Sequence, residues 1–207
     1  MCRGALIVLE GCDKTGKSTQ SKKLFQYLDN LGEKVKLYAF PRRSTRVGKI
    51  LDDYITKKID ISDQTVHLLF SANRWELISQ IQEKLESGVT ILVDRYAYSG
   101  AAFTAAKGLD LEWCKSTDRG LVKPDMVFYF DIDVKHASVR GDYGNDRYET
   151  VEFQEKVQNY FELLKDSTWV VIDANQPVGV IHDKLVKTVL NTLVECKNKR
   201  LEKLWIS

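Results

Sequence analysis

Residues 5–18 read ALIVLEGCDKTGKS, an apolar run followed by a loop with the spacing GxxxxGK[ST]. The run has the length of a short buried strand, and the loop has Gly11, Gly16, Lys17 and Ser18 at its four fixed positions. Between a strand and a helix, this pattern lets backbone N–H groups and the positive end of the helix converge on phosphate oxygens. We expect Lys17 to reach the β- and γ-phosphates of a nucleotide and the Ser18 hydroxyl to ligate Mg²⁺. The alternative is a glycine-rich turn that binds nothing.

Apolar runs of strand length recur along the chain and predict a sheet. Most are nearly continuous rather than alternating, which is typical of parallel strands covered on both faces. The runs are 5–9, 35–39, 89–93, 126–130 and 169–172. Between them lie stripes with helical spacing, one of Leu24, Leu28 and Leu31 before Gly32, another of Leu77, Ile78, Ile81 and Leu85 before Gly88. This alternation predicts the α/β class, as a three-layer, doubly wound parallel sheet of about five strands.

The overall composition is that of a globular protein and argues against several function classes. The 207 residues are 43% hydrophobic and 29% charged with a net charge of +2, which neither suggests disorder nor requires nucleic acid or an anionic membrane as partner. Four cysteines and three histidines are widely spaced, which offers no zinc site and indicates free thiols. The five apolar residues before Glu10 are too few for a signal peptide. We expect a cytoplasmic protein, and a nuclear or mitochondrial pool is also compatible.

The run at 89–93 leads into Asp94 and Arg95, which puts a carboxylate and a guanidinium at the end of a predicted strand. Ligands of open α/β sheets bind at the C-terminal ends of strands. Beside a phosphate loop, Asp94 is therefore expected to help hold Mg²⁺, through water. The alternative is an aspartate that caps the next helix beside a surface arginine.

A basic stretch follows the second predicted strand, with Arg42, Arg43 and Arg46 after Pro41. Arginine forks suit bidentate phosphate binding. A second phosphate site would mean that the phosphoryl acceptor itself carries a phosphate. The alternative is a solvated run of charges.

Another polar stretch, at 140–149, contains two glycines and two arginines and is expected to form a loop.

With these motifs located, the sequence resembles the thymidylate kinases of the eukaryotic type over nearly its whole length. The matching stretches are RGALIVLEG (3–11), DKTGKSTQS (13–21), FPRRST (40–45), VHLLFSANRWE (66–76), VDRYAYSGAAFT (93–104), KPD (123–125), RYE (147–149) and DAN (173–175). The resemblance implies one domain over 1–207, with the nucleoside-monophosphate kinase fold and a lid at about 134–149. It also implies the reaction ATP + dTMP → ADP + dTDP in dTTP biosynthesis, with Mg²⁺, in a homodimer.

The resemblance also implies roles for individual residues. Nucleotide contacts are implied for Gly11, Lys14, Thr15, Gly16, Lys17, Ser18 and Thr19, adenine contacts for Asn175 and Gln176, and Mg²⁺ contacts for Ser18 and Asp94. At the acceptor, Asp13 would hold the sugar 3′-hydroxyl, Arg43 and Arg95 the dTMP phosphate, Phe70 the thymine face and Arg74 its O4. Phe40, Ser99, Gly100 and Phe103 would line the nucleoside pocket, Tyr148 would crowd the sugar 2′ position, and Gln154 would close over the acceptor. The implied catalytic residues are Asp13, Lys17, Arg95 and the lid arginines Arg140 and Arg147.

The phosphate loop departs from the family pattern in two places. Lys14 stands where eukaryotic members often have arginine, so the charge that stabilises the transition state comes either from this loop or from Arg140 and Arg147. Cys12 lies beside a helix N-terminus and Lys14, which predicts a lowered thiol pKa.

Alternative functions share part of this pattern. A kinase for another nucleoside monophosphate would keep every phosphate-binding feature and differ only around the base. A regulatory P-loop NTPase would hold a nucleotide but have no use for the second arginine site. At the base end, Phe70 and Arg74 lie one helical turn apart, and could instead form a core edge with the arginine head in water.

Overall fold

The computed structural model describes residues 2–139 and 146–206, and within them a five-stranded sheet forms the centre. The strands are β1 (Leu6–Gly11), β2 (Val35–Ala39), β3 (Thr90–Asp94), β4 (Met126–Asp131) and β5 (Trp169–Asp173). All neighbouring strands are parallel, in the order β2-β3-β1-β4-β5. Each predicted run forms a strand, so the predicted parallel α/β sheet is confirmed.

Eight helices in this described part of the chain connect the strands. They are α1 (Lys17–Asn30), α2 (Arg46–Ile55), α3 (Asp63–Glu86), α4 (Ala97–Ala105), α5 (Leu111–Ser116), α6 (Val134–Ser138), α7 (Val151–Leu164) and α8 (Val178–Cys196). None of these helices combines the length and the apolar character needed to cross a membrane.

The central strand β1 is covered on both faces. Leu6 and Val8 belong to a core cluster with residues of α3, α4 and α7, whereas Ile7 and Leu9 belong to a second cluster with residues of α1 and α8. All four side chains are fully buried, and burying a side chain of this size contributes about 1.5–3 kcal/mol. The three layers predicted from the continuous apolar runs are therefore confirmed.

Glycines mark the ends of both predicted helical stripes. Gly32 and Gly88 have φ angles of +78° and +84°, in the left-handed region that favours glycine after a helix. Leu24 and Leu28 are buried as predicted, but Leu31 is the C-cap of α1 and its side chain is 54% exposed. Its place in the buried stripe was wrong, because the helix ends at this residue and the spacing no longer keeps it on the inner face.

The order of the strands positions the site. β1 leads through the phosphate loop, residues 11–18, directly into α1. Its neighbour β3 ends at Asp94, which pairs in register with Leu9. The chain places β2 and β3 on one side of β1 and then β4 and β5 on the other. Ligands bind at such a switch point, beyond the C-terminal ends of the strands.

Candidate active site

A cavity of about 730 Å³ opens at this edge of the sheet. It is lined by the phosphate loop, the loop after β2, parts of α3 and α4, and residues near the start of α7. Most of the residues proposed from the sequence lie around it: Asp13, Lys14, Thr15, Gly16, Lys17, Ser18, Thr19, Phe40, Arg43, Phe70, Arg74, Asp94, Arg95, Ser99, Gly100, Phe103, Tyr148 and Gln176. Asp13 and Gln176, which are 163 positions apart in the sequence, thus line the same cavity.

Lys17 is held inside the phosphate loop. Its ammonium donates to the carbonyl oxygen of Cys12 and, at 3.0 Å, to the hydroxyl of Thr15, and the side chain is buried. Burial, followed by the neighbouring charge of Arg95, lowers the pKa of Lys17 to about 8. The group is still mainly charged at pH 7, and an anionic phosphate in the loop would favour its charged form further.

Ser18 and Asp94, the two residues predicted to hold Mg²⁺, are in contact at the cavity. The Ser18 hydroxyl donates to Asp94 Oδ2 at 2.5 Å, with both groups at the cavity. Hydroxyl and carboxylate oxygens are suitable ligands for Mg²⁺, which usually keeps several waters and takes its other ligands from substrate phosphates. The described residues contain no cluster of three or more histidine, cysteine or acidic side chains that could hold a metal alone. The donor set therefore fits a nucleotide-bound Mg²⁺ rather than a metal caged by protein.

Asp13 and Arg95 form a hydrogen-bonded pair at the mouth of the loop. The Arg95 guanidinium donates to Asp13 Oδ1 and, at 3.0 Å, to the carbonyl oxygen of Gly11. Gln154 lies behind the pair, where it donates to Asp13 Oδ2 at 2.6 Å and accepts from the Asp13 backbone N–H at 2.9 Å. Gly11 and Gln154 thus support the site from outside the cavity lining, and Gln154 reaches Asp13 rather than the cavity itself.

Glu10, which sequence reasoning passed over, stands behind this pair. Its side chain is fully buried, and Oε1 accepts from the backbone N–H groups of Tyr96 and Ser99 at 2.8 and 3.1 Å. Oε2 accepts from the Ser99 hydroxyl at 2.5 Å, and that hydroxyl accepts from Arg95 at 3.1 Å. Burial raises the pKa of Glu10. Glu10 therefore fixes the start of α4 and, through Ser99, the guanidinium of Arg95. The sequence feature that could have pointed to Glu10 is a single acidic residue within an otherwise apolar strand.

Of the three arginines after β2, Arg43 lines the cavity, whereas the guanidinium of Arg42 lies 5.9 Å from the ring centre of Tyr38. Arg43 forms an ion pair with Asp52 at 2.8 Å. The loop is fixed from α3 by the buried Asn73, whose amide accepts from the Arg42 N–H at 2.6 Å and donates to Thr45 at 2.9 Å. Asn73 was not singled out from the sequence, although it lies in the stretch VHLLFSANRWE at 66–76.

Phe70 and Arg74, one turn apart on α3, both line the cavity. The Arg74 side chain is 3% exposed and forms an ion pair with Asp118 at 2.5 Å. The alternative in which its head reaches water is therefore wrong. A Cβ on Gly100 would lie 2.6 Å from Arg74 Nη2, so only glycine leaves room for the guanidinium there.

Aromatic side chains form the rest of the wall. Phe103 lies under the Arg95 guanidinium, 5.1 Å from ring centre to Cζ, and packs edge-on against Tyr148 at 5.6 Å. The Tyr148 hydroxyl is 3.2 Å from that of Tyr54 on α2. These contacts fix Tyr148 at the cavity.

Arg147 does not reach the cavity in this structure. Its guanidinium donates to the carbonyl oxygens of Tyr54 and Ile59, both at 2.9 Å, and forms an ion pair with Asp60 at 2.7 Å. Arg147 thus anchors the segment before α7 to the connection between α2 and α3, a position that does not match the predicted catalytic role. Arg140, the other predicted lid arginine, lies outside the described residues.

Lys14 lies at the cavity and connects the phosphate loop to the other side of the site. Its ammonium is 3.5 Å from a carboxylate oxygen of Glu149, which also lines the cavity. Of the predicted lid at 134–149, residues 134–138 form α6 and 146–149 include this contact. Of the two predicted charges, Lys14 lines the cavity and Arg147 does not.

Asn175 and Gln176 lie in the exposed turn after β5. The Asp173 carboxylate accepts from the Asn175 backbone N–H at 2.9 Å and from the Gln176 side chain at 2.8 Å. Gln176 lines the cavity together with Ala174. Asn175 does not line the cavity.

The expected low pKa of the Cys12 thiol was wrong. Cys12 is 4% exposed, its Sγ lies 3.6 Å from the carbonyl oxygen of Gln154, and burial raises its pKa to about 12. Desolvation of the thiolate outweighs the attraction of the nearby Lys17 and the helix terminus.

We predict that a thiol reagent modifies the exposed Cys2 well before Cys12, since thiolate and access are both needed for reaction. Mass mapping of tryptic peptides after brief alkylation at pH 8 measures the order. Modification of Cys12 at the rate of Cys2 or faster would contradict the buried position.

Comparison with known proteins agrees with this geometry. A family model described as thymidylate kinase matches residues 9–185. The thymidylate kinase of Arabidopsis thaliana is 50% identical, over 99% of this chain and 78% of its own length. That of Homo sapiens is 47% identical over 98% of both chains. The solved structure of a thymidylate kinase from Candida albicans superimposes with a TM-score of 0.90 at 37% identity, covering 99% of each chain. The chain therefore belongs to the thymidylate kinase family.

Proposed function

We propose that this protein transfers the γ-phosphoryl group of ATP to dTMP and so produces ADP and dTDP, a step of dTTP biosynthesis. The observation that carries this proposal is that one cavity is lined by the phosphate loop, by a second set of arginines and by the aromatic side chains of Phe40, Phe70 and Phe103. A regulatory P-loop NTPase would need only the first of these. The family membership and the high identity over nearly the whole chain support the same reaction.

On the donor side, backbone N–H groups of the loop and Lys17 would bind the ATP phosphates, and the turn after β5 would contact adenine. Ser18 and Asp94 would hold Mg²⁺, directly or through water. When bound, this ion neutralises part of the negative charge on the transferred phosphoryl group.

On the acceptor side, Arg43 and Arg95 would bind the dTMP phosphate from two sides, and Asp13 would accept from the sugar 3′-hydroxyl. Phe70 offers a stacking face for thymine, while Arg74 offers a donor for its O4. Phe40, Ser99, Gly100 and Phe103 complete the wall. Tyr148, which also lines the cavity, would crowd the sugar 2′ position.

Catalysis would rest on positioning and on fixed cations. The transition state of phosphoryl transfer spreads negative charge over the moving group, so preorganised donors stabilise it more than they stabilise the substrates. Lys17, Lys14 and Arg95 are such donors, and Glu10 with Ser99 keeps Arg95 in place. The acceptor phosphate is already anionic, so this chemistry needs no general base from the protein.

A direct test is to incubate the protein with ATP, Mg²⁺ and dTMP and to separate the nucleotides by ion-exchange chromatography. We expect dTDP and ADP in equal amounts, and little ADP when dTMP is left out. A protein that hydrolyses ATP at the same rate without making dTDP would instead be a regulatory NTPase.

We also propose that the protein is a cytoplasmic homodimer. Leu68 and Trp75 lie seven residues apart and therefore on one face of α3, and they are 50% and 39% exposed. A paired copy that covers this face would bury both side chains. Sedimentation equilibrium tests the proposal, with a mass near twice 23.8 kDa as the expected result.

A further inference from the structure

Asp118 lies in the connection between α5 and β4, fully buried, and does not line the cavity. We propose that Asp118 is a positioning residue that sets the base preference of the acceptor site by fixing the guanidinium of Arg74. The inference rests on the proposed function, in which Arg74 donates to thymine O4. It adds the residue that decides which way this donor points.

The contact between the two side chains is a two-point fork. Arg74 Nε donates to Asp118 Oδ1 at 3.0 Å and Nη2 donates to Oδ2 at 2.5 Å. Two parallel hydrogen bonds fix the plane of a guanidinium as well as its position. They use the Nε and Nη2 side of the group, so Nη1 is the nitrogen that Asp118 leaves for a ligand.

Asp118 is itself fixed from α3. The Ser71 hydroxyl lies 2.9 Å from Asp118 Oδ1 and 2.8 Å from the carbonyl oxygen of Thr117. Ser71 is one turn before Arg74 on the same helix, so the carboxylate and the guanidinium that it binds share one rigid support. The orientation of Arg74 thus depends on α3 and on residues 117 and 118, which Ser71 ties to this helix.

Gly100 closes the opposite side. A Cβ there would lie 2.6 Å from Arg74 Nη2 and 3.1 Å from both Cζ and Nη1. The guanidinium is therefore held between the Asp118 carboxylate and the backbone of α4. The space next to Gly100 is too small for a side chain while the guanidinium is in this position, and the guanidinium cannot turn away from Asp118 without breaking the fork.

The charges decide what this arrangement does to a base. An unpaired guanidinium buried to this degree would be costly, and Asp118 supplies its counter-charge. Together, Arg74 and Asp118 carry no net charge. The guanidinium presents only N–H groups, so it can donate a hydrogen bond to a base but cannot accept one. Thymine and uracil have an acceptor at position 4, whereas cytosine has an amino donor there. A fixed donor therefore rejects cytosine, but a donor that is free to rotate can move away and tolerate it.

The test is the ratio of kcat/KM for dTMP to that for dCMP in Asp118→Asn, with wild type and Arg74→Ala as references. We expect Asp118→Asn to lower this ratio about tenfold, mainly through a higher KM for dTMP, because the amide keeps the size of the side chain but loses the charge and the two-point fork. Asp110→Asn, a change in the exposed N-cap residue of α5, is the matched control and should leave the ratio unchanged.

Gly100→Ala provides a second variant in case Asp118→Asn does not fold, since it displaces the guanidinium without removing a charge. It should also lower the ratio. A purely structural role of Asp118 would reduce activity with both acceptors equally. An unchanged ratio in a folded Asp118→Asn or Gly100→Ala protein, while Arg74→Ala loses discrimination, would overturn this inference alone. Equal use of dTMP and dCMP by wild type would instead overturn the proposed function.

Discussion

Lys17→Ala should lower kcat for dTDP formation by about 10²–10³-fold or more, the loss expected when a preorganised charge is removed from a transition state. The fold should survive. Lys17 is buried, and burial lowers the pKa of Lys17, so its charge contributes no net stability to the protein without nucleotide. Steady-state assays at saturating ATP and dTMP measure the rate, and a thermal melt checks the fold.

Lys22→Ala, which removes an exposed lysine of α1, is the matched control and should retain the wild-type rate. A wild-type rate in Lys17→Ala would show that the loop does not bind the transferred phosphoryl group.

The lowered pKa of Lys17 predicts a pH dependence of the protein's stability, which is a second and independent measurement. Because the pKa of Lys17 is about 8 in the folded protein and 10.5 ordinarily, the unfolded chain binds more protons between these values. Wild type should therefore gain stability relative to Lys17→Met as the pH rises from 8 to 10.5.

Lys14→Gly should lower kcat far more than Arg147→Ala does. Lys14 lies at the cavity, whereas the Arg147 guanidinium is bound to Tyr54, Ile59 and Asp60. Glycine suits the left-handed φ of +58° at residue 14, so the variant removes the charge with little strain. A cation inserted at a transferring phosphoryl group can contribute about 10³–10⁵ in rate when it is an arginine. We expect about a hundredfold loss for this lysine.

Arg147→Ala should act differently, because it loosens the segment that carries Tyr148. We expect its main effect on the KM for dTMP, with kcat within a few-fold of wild type. Lys14→Arg should retain activity. If Arg147→Ala were the slower variant at saturating substrates, then the segment before α7 would have to rearrange so that Arg147 reaches the phosphates.

Much of the architecture was predictable because it depends on local pattern. Continuous apolar runs predicted strands that are buried on both faces, and the phosphate loop predicted the helix that follows β1. Gly11 and Asp94 could be placed together because parallel strands end at the same edge of a sheet. Local pattern failed at Leu31, since a periodic stripe does not show where a helix ends.

The supporting residues of the site were not predictable in the same way. Asp118 contacts Arg74 from 44 positions away, and Glu10 contacts Ser99 across 89 positions. Such pairs leave no periodic trace in the sequence, and a single acid in an apolar context looks the same whether it supports a site or a fold. Cys12 shows the opposite error. A nearby helix N-terminus and a lysine do lower the pKa of a thiol. Cys12 is also buried, with a residue of α7 in contact with its sulfur, and this burial raises the pKa instead.

The preference among acceptors tests the central proposal most directly. Thymine O4 is an acceptor and cytosine N4 a donor, so a fixed Arg74 donor should favour thymine by about ten- to a hundredfold, from the 1–3 kcal/mol that a mismatched buried donor costs. The thymine methyl is worth about as much again in an apolar pocket. Measurement of kcat/KM for wild type with dTMP, dUMP, dCMP and dGMP should give dTMP above dUMP, and both far above dCMP and dGMP. Phosphorylation of dCMP as efficiently as dTMP would contradict the thymidylate kinase function.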